Sequence, residues 1–140
     1  MRSLIGLLSL AGLFGLPATA GAQTPTNTAL DGTYRVVSTA KVNQTYLSKA
    51  GRALPCVDRT PGPLTIVNGH AKYTTETGIE LLGTVGPNGE LDLRPMDPRA
   101  GAGLARPFGL RTKAAIDSTG TVHARQTGFS CSYDFVWRKQ

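Results

Sequence analysis

Two side chains near the C-terminus, His123 and Asp134, could carry out acid–base chemistry. A chain folded back at Gly128-Phe129 as a two-residue loop would place them opposite one another on the outer, polar face of a hairpin. An imidazole and a carboxylate in this arrangement can share a charge-assisted hydrogen bond, the core of a general-base pair. No nucleophile is predicted beside them, so the favoured interpretation is an exposed cross-strand pair, and no enzymatic activity is predicted.

A group of basic side chains could bind an anionic surface. Lys113 is predicted to face Arg125 across a hairpin, and Arg111 lies on the same strand as Lys113. Like charges placed opposite one another cost stability, so their presence indicates a binding role. Further basic residues lie in or beside a loop of residues 96–108: Arg94, Arg99 and Arg106. The alternative is a solvated basic face relieved by nearby acids, and the formal net charge of +6 suits either interpretation.

The two cysteines, Cys56 and Cys131, are predicted to form one disulfide, because an even count in an exported chain favours pairing. A redox role would require a Cys-x-x-Cys pair, which the sequence lacks. Its two histidines, His70 and His123, fall on different hairpins without clustered acids or thiols, so no metal site is predicted. No cofactor is predicted either, since phosphate-cradle and dinucleotide fingerprints are missing from the sequence.

These side chains must be positioned by strands. Apolar and polar residues alternate repeatedly with a period of two, and 17 Gly with nine Pro punctuate the pattern, which is typical of an all-β fold. Eight strands are predicted, over residues 33–42, 63–67, 70–75, 79–86, 90–95, 109–117, 121–127 and 130–138.

Five turns set the predicted register. They are Asn68-Gly69, Glu76-Thr77-Gly78, Pro87-Asn88-Gly89, Ser118-Thr119-Gly120 and Gly128-Phe129. Each brings apolar positions to one common face, and the last pairs Gln126 with Cys131. Because an open meander leaves two bare edges, we predict a closed or nearly closed antiparallel barrel of about eight strands, its interior filled by side chains. Residues 43–62 form a long connection that the disulfide would pin to the last strand.

Residues 1–22 are predicted to be an export signal. Arg2 is its charged start, an apolar stretch follows, and small residues offer a cleavage site near Ala22. The stretch is too short and too interrupted by Gly and Pro to span a membrane. We therefore predict a flexible leader over residues 23–31, one barrel domain over residues 32–140, and a periplasmic or secreted location.

The sequence from Asn68-Gly69 to the terminal Cys131-Ser132-Tyr133 resembles small exported bacterial β-proteins that end in a Cys-x-Tyr strand. Within it, Gly69-His70-Ala71-Lys72-Tyr73 and Gly83-Thr84-Val85-Gly86 are faintly similar to two loop motifs of bacterial inhibitors of C-type lysozyme. That resemblance implies a small disulfide-bearing periplasmic barrel. In that family a serine and a lysine enter the lysozyme cleft, and this sequence has Asn68 and Val85 at those positions.

Several functions follow as hypotheses. The first is an exported, non-enzymatic barrel that binds an envelope partner or an anionic surface through the basic residues and the 96–108 loop. The second is a lysozyme-inhibitor-like protein acting through residues 68–86, and the third is an enzyme using His123 and Asp134. Carriage of a small ligand is a further alternative, limited by the aromatic side chains expected to fill the barrel. Nucleic acid is not an expected partner, because interleaved exposed aromatic residues are lacking.

Overall fold

The structure, a computed structural model, describes residues 28–95, 109–128 and 130–140. Within these ranges the chain forms ten β-strands and no α-helix. The strands are β1 (Gly32–Lys41), β2 (Thr45–Leu47), β3 (Ala53–Pro55), β4 (Leu64–Val67), β5 (His70–Thr74), β6 (Glu80–Thr84), β7 (Glu90–Pro95), β8 (Arg111–Ile116), β9 (Thr121–Thr127) and β10 (Tyr133–Lys139).

Eight of these strands close into one antiparallel barrel. Around the barrel the order is β1, β10, β9, β8, β7, β6, β5 and β4, and β4 pairs with β1 to complete the circle. The chain therefore runs up and down through neighbouring strands, and closure leaves no bare edge in the barrel. The predicted all-β class and antiparallel eight-strand barrel are confirmed, with every predicted strand end within three residues of an observed one.

The remaining two strands form a small hairpin outside the barrel wall. β2 pairs with β3 between Thr45 and Pro55, inside the segment predicted only as a long connection. The backbone N–H of Cys56 donates to the carbonyl of Gln44 at 2.8 Å, which extends this pairing to the disulfide.

Four of the five predicted turns give the predicted register. Val67 pairs with His70, Tyr73 with Leu81, Val85 with Leu91, and Ile116 with Val122. These turns succeed as predictions because Gly and Asn supply the positive φ that tight hairpins require. Asn68, for example, has φ 51°.

The fifth predicted register, at the β9–β10 hairpin, is wrong. Gln126 pairs with Tyr133 and not with Cys131, so the connection is longer than a two-residue loop. The cause is non-local. Cys131 is bonded to Cys56 in the disulfide. The Asn43 side chain also accepts from the Ser132 N–H at 2.8 Å and donates to the Ser130 carbonyl at 2.9 Å. Because the shift is an even number of residues, each side chain keeps its predicted face.

Inward-facing side chains from every barrel strand fill the interior. The Trp137 ring lies edge-on to Tyr73 and Phe135, with centroids 5.3 and 5.6 Å apart, and its Nε1–H donates to the Gly62 carbonyl at 3.0 Å. Full burial of such rings stabilises the fold by about 2–3 kcal/mol each. The other large, fully buried side chains are Tyr34, Leu64, Ile66, Leu81, Leu93, Thr112 and Val122.

The described residues before the predicted domain boundary at residue 32 contact the barrel. Thr28–Leu30 forms a 3-10 turn whose Leu30 carbonyl accepts from the Tyr34 hydroxyl at 2.6 Å. The Asp31 carboxylate accepts from the backbone N–H groups of Asn68 and Gly69. Within the segment predicted as a flexible leader, Leu30 and Asp31 are thus hydrogen-bonded to the barrel. The predicted signal lies outside the described residues, and within them no helix is long and apolar enough to cross a membrane.

Candidate functional site

The described residues cover the two ends of the barrel differently. One end, here the closed end, carries the β4–β5, β6–β7 and β8–β9 turns together with the Thr28–Leu30 turn. The other, the open end, carries the disulfide, the β5–β6 turn and the β9–β10 connection. A cleft of about 510 Å³ lies at the open end, above the packed interior. Its volume falls within the range of small-molecule sites.

One wall of the cleft is a chain segment that we call the strap, residues 56–62. The Cys56–Cys131 disulfide, confirmed as predicted, fixes its start. The Tyr133 hydroxyl donates to the Val57 carbonyl at 2.8 Å, and the Gly62 N–H donates to the Thr74 carbonyl at 2.9 Å. The strap is therefore held from several sides by groups of the barrel rim, which gives the cleft a defined shape.

Most of the accessible lining of the cleft is apolar. Its described apolar and aromatic lining residues are Tyr46, Pro55, Val57, Pro61, Ile79, Leu110, Cys131, Tyr133 and Phe135. The Tyr133 and Phe135 rings are parallel, with centroids 6.0 Å apart. Such a surface gains free energy when an apolar molecule displaces water from it.

A series of hydrogen bonds between the buried side chains of Thr112, Tyr73 and Gln126, which we call the polar chain, reaches the cleft from the barrel interior. The Thr112 hydroxyl lies 2.5 Å from the Tyr73 hydroxyl, which donates to Oε1 of Gln126 at 2.7 Å. Gln126 lines the cleft and is only 8% exposed. Burial raises the pKa of the Tyr73 hydroxyl well above its usual range, so this group stays protonated and available as a donor.

The rim of the cleft carries one described carboxylate, Glu76. Its Oε2 accepts from the backbone N–H of Thr60 at 3.3 Å and lies 3.9 Å from Nη1 of Arg59. Both charges lie at the exposed rim, where their attraction is weak. Glu76 thus ties the strap to the β5–β6 turn, and the described interior of the cleft is uncharged.

The predicted basic residues are brought together on the outer face, but with acidic neighbours. Lys113 pairs with Arg125 as predicted, and the same cross-strand row continues to Asp92 on one side and Asp134 on the other. The two adjacent cations are therefore flanked by two acids, and the formal charges of the row sum to zero. Of its two cations, Lys113 has no acid within salt-bridge distance among the described residues.

Three arginines of this face form ion pairs with aspartates: Arg94, Arg111 and Arg125. Nε and Nη2 of Arg125 donate to the two oxygens of Asp134 at 2.8 and 2.9 Å. Arg111 makes the same two-point contact with Asp92, which also accepts from Arg94. Hydrogen bonds from Arg111 hold the pKa of Asp92 well below its usual range, and those from Arg125 lower the pKa of Asp134. Of the other predicted basic residues, Arg99 and Arg106 lie outside the described residues.

The predicted pairing of His123 with Asp134 is wrong. The shifted β9–β10 register places His123 opposite Val136 and Asp134 opposite Arg125. Nε2 of His123 instead lies 3.4 Å from the carboxylate of Asp117, in the β8–β9 turn, and its side chain is 63% exposed. The general-base pair considered from the sequence is therefore not formed.

The two segments that resemble lysozyme-inhibitor motifs meet at the closed end. The Val85 N–H donates to the Gly69 carbonyl at 2.8 Å, and Asn68 forms the tip of the β4–β5 turn. They lie at the end of the barrel opposite the cleft. Within the described residues no group of three or more His, Cys, Asp or Glu side chains is arranged to hold a metal ion.

Sequence reasoning missed the cleft and its polar floor. The available signal was the presence of polar residues, Thr112 and Gln126, at inward positions of otherwise apolar alternating strands. Buried polar groups are retained where they have partners or a function.

No protein-family model, curated protein or solved structure matches the chain.

Proposed function

We propose that this protein binds a small, largely apolar molecule in the cleft at the open end of the barrel. The observation that carries the proposal is the cleft itself, about 510 Å³ of mainly apolar surface above an otherwise packed interior. Barrels of eight strands either fill completely or retain room for one ligand at a mouth. Here aromatic side chains fill the centre of the barrel. The unfilled space lies at the open end, beside Phe135.

The disulfide supports a site of action in an oxidising compartment, in agreement with the predicted export. It also supports a binding role, because it fixes the strap that forms one wall. A wall fixed in advance lowers the conformational entropy lost when a ligand binds.

The outer face gives less support to binding of an anionic surface. Arg111 and Arg125 each donate two hydrogen bonds to a carboxylate, so an anion would have to compete with Asp92 and Asp134 for them. Ion pairs of this two-point geometry are among the stronger polar contacts on a protein surface. The envelope-surface hypothesis consequently has only Lys113 as an uncommitted cation in the described row.

The experiment is a titration with prodan, a naphthalene bearing one ketone, whose fluorescence shifts to the blue in an apolar site. We expect saturable binding with a dissociation constant on the order of 10 µM, as for a ligand of this size in a preformed apolar pocket. Leu110 lines the cleft and is half-buried. Leu110→Trp should therefore fill part of the cleft and weaken prodan binding about tenfold.

Val67→Trp is the matched control. Val67 is 63% exposed and lies beside the β4–β5 turn at the closed end, so this variant adds the same indole away from the cleft. It should bind prodan as the unsubstituted protein does. Absence of saturable binding, or equal loss in both variants, would contradict the proposed function.

A further inference from the structure

We propose that the ligand presents an uncharged hydrogen-bond acceptor, such as a ketone, ester or amide carbonyl oxygen, to the side-chain amide of Gln126. This inference rests on the proposed ligand site and names the chemical class that the site would take. It is carried by the direction of the hydrogen bonds at the floor of the cleft.

The polar chain has a fixed direction. The Tyr73 hydroxyl has one hydrogen, which it donates to Oε1 of Gln126. The Thr112 hydroxyl must then be the donor in its 2.5 Å contact with Tyr73. Each group thus donates to the next, from Thr112 through Tyr73 to Gln126, and the amide oxygen of Gln126 already accepts one hydrogen bond.

The amide nitrogen of Gln126 is the free end of this chain. It makes no hydrogen bond with any described residue. No fully buried side-chain nitrogen or oxygen in the described part of the chain lacks a partner, so this nitrogen keeps some accessible surface. Gln126 lines the cleft, and the N–H groups of its amide therefore face the space that a ligand would occupy.

The acceptor should be neutral for two reasons. Thr112, Tyr73 and Gln126 are uncharged, and the one described cation that lines the cleft, Arg59, lies at the rim near Glu76. A carboxylate placed against Gln126 would lose its hydration without gaining an opposite charge, which strongly disfavours its binding. A carbonyl oxygen loses far less and gains a donor strengthened by the hydrogen bonds behind it.

The test uses two naphthalenes of nearly equal shape, acetylnaphthalene and isopropenylnaphthalene, which differ only by a carbonyl oxygen in place of a methylene group. Each compound is used to displace prodan from the protein. The affinity for acetylnaphthalene is then divided by that for isopropenylnaphthalene, and this ratio is compared between proteins. In Gln126→Leu this ratio should fall about fivefold relative to the unsubstituted protein, in proportion to one neutral hydrogen bond. Comparing this ratio between two proteins cancels the intrinsic difference in how the two compounds leave water.

Gln140→Leu is the control, because it removes the same kind of side-chain amide at a position after β10 that does not line the cleft. It should leave the ratio unchanged. Should Gln126→Leu fail to fold, Gln126→Met removes the same donor with a side chain of similar length. An equal ratio in the unsubstituted and Gln126-substituted proteins would overturn the inference while leaving the ligand site intact. Failure of prodan and both naphthalenes to bind would overturn the site as well.

Discussion

The closed and open ends of this barrel differ in the balance of backbone and side-chain bonds that hold them together. At the closed end, the glycine carbonyl of each turn accepts from a backbone N–H two strands further on. Val85 donates to Gly69, Ile116 to Gly89 and Lys139 to Gly120, at 2.8, 2.9 and 3.1 Å. At the open end, the strap is held mainly by side chains and by one disulfide.

This difference distinguishes the closed end, which acts as a scaffold, from the open end, which carries the candidate site. Backbone-to-backbone bonds depend little on side-chain identity beyond the glycines themselves. At Gly89, where φ is +79°, an added Cβ would lie 2.8 Å from the Ile116 carbonyl oxygen. The open end depends on particular side chains, so its shape follows the sequence of a few loops. A rigid barrel that presents a variable rim is a common arrangement for binding proteins.

The largest expected effect comes from removing the disulfide that fixes the open end. The Cys56→Ser, Cys131→Ser double variant should lose about 2–4 kcal/mol of unfolding free energy, because the bond closes a loop of about 75 residues in the unfolded chain. Prodan affinity should fall as well, since the strap loses its anchor. Chemical denaturation and prodan titration measure the two effects.

The untreated and reduced forms of the unsubstituted protein provide the matched pair for this experiment. Reduction should reproduce the loss seen in the double variant. If both stability and prodan affinity were unchanged, the strap would not depend on the disulfide. That result would contradict the proposed difference between the closed and open ends.

The smallest expected effect is a pH dependence at the closed end. Hydrogen bonds from the Thr119 hydroxyl and from backbone N–H groups lower the pKa of Asp117 to about 2. A carboxyl with a lowered pKa stabilises the fold above its unfolded pKa, and that stabilisation is lost as the pH falls toward its folded pKa. Asp117→Asn should therefore flatten the fall in stability between about pH 4 and about pH 2.

Acid titration followed by circular dichroism measures this change. Ser118→Ala, in the same turn, leaves the hydrogen bonds to Asp117 in place and should follow the curve of the unsubstituted protein. Identical acid curves for Asp117→Asn and the unsubstituted protein would show that this turn is not stabilised as described.

The closed end was predictable from sequence, and the open end largely was not. Tight turns such as Asn68-Gly69 encode their register locally, because residue type decides which φ values are available. The β9–β10 connection was misjudged because Asn43 and Cys56, distant in sequence, decide its path. Its misplacement also produced the incorrect pairing of His123 with Asp134.

The basic face and the cleft show the same limit. The facing pair of Lys113 and Arg125 followed from local register, but the acids that flank it come from strands β7 and β10. The cleft depends on where the strap lies in space, which no local pattern specifies. Only the inward-facing polar residues, Thr112 and Gln126, marked its position in the sequence.

The most direct test of the account is a two-dimensional ¹H–¹⁵N NMR titration of the labelled protein with prodan. We expect the amide signals that shift to come from the lining of the open end, with Ile79, Leu110 and Gln126 among them. Signals of the closed-end turns, such as Asn88 and Thr119, should stay in place. Shifts concentrated at the closed end, or on the outer face around Lys113, would contradict the account.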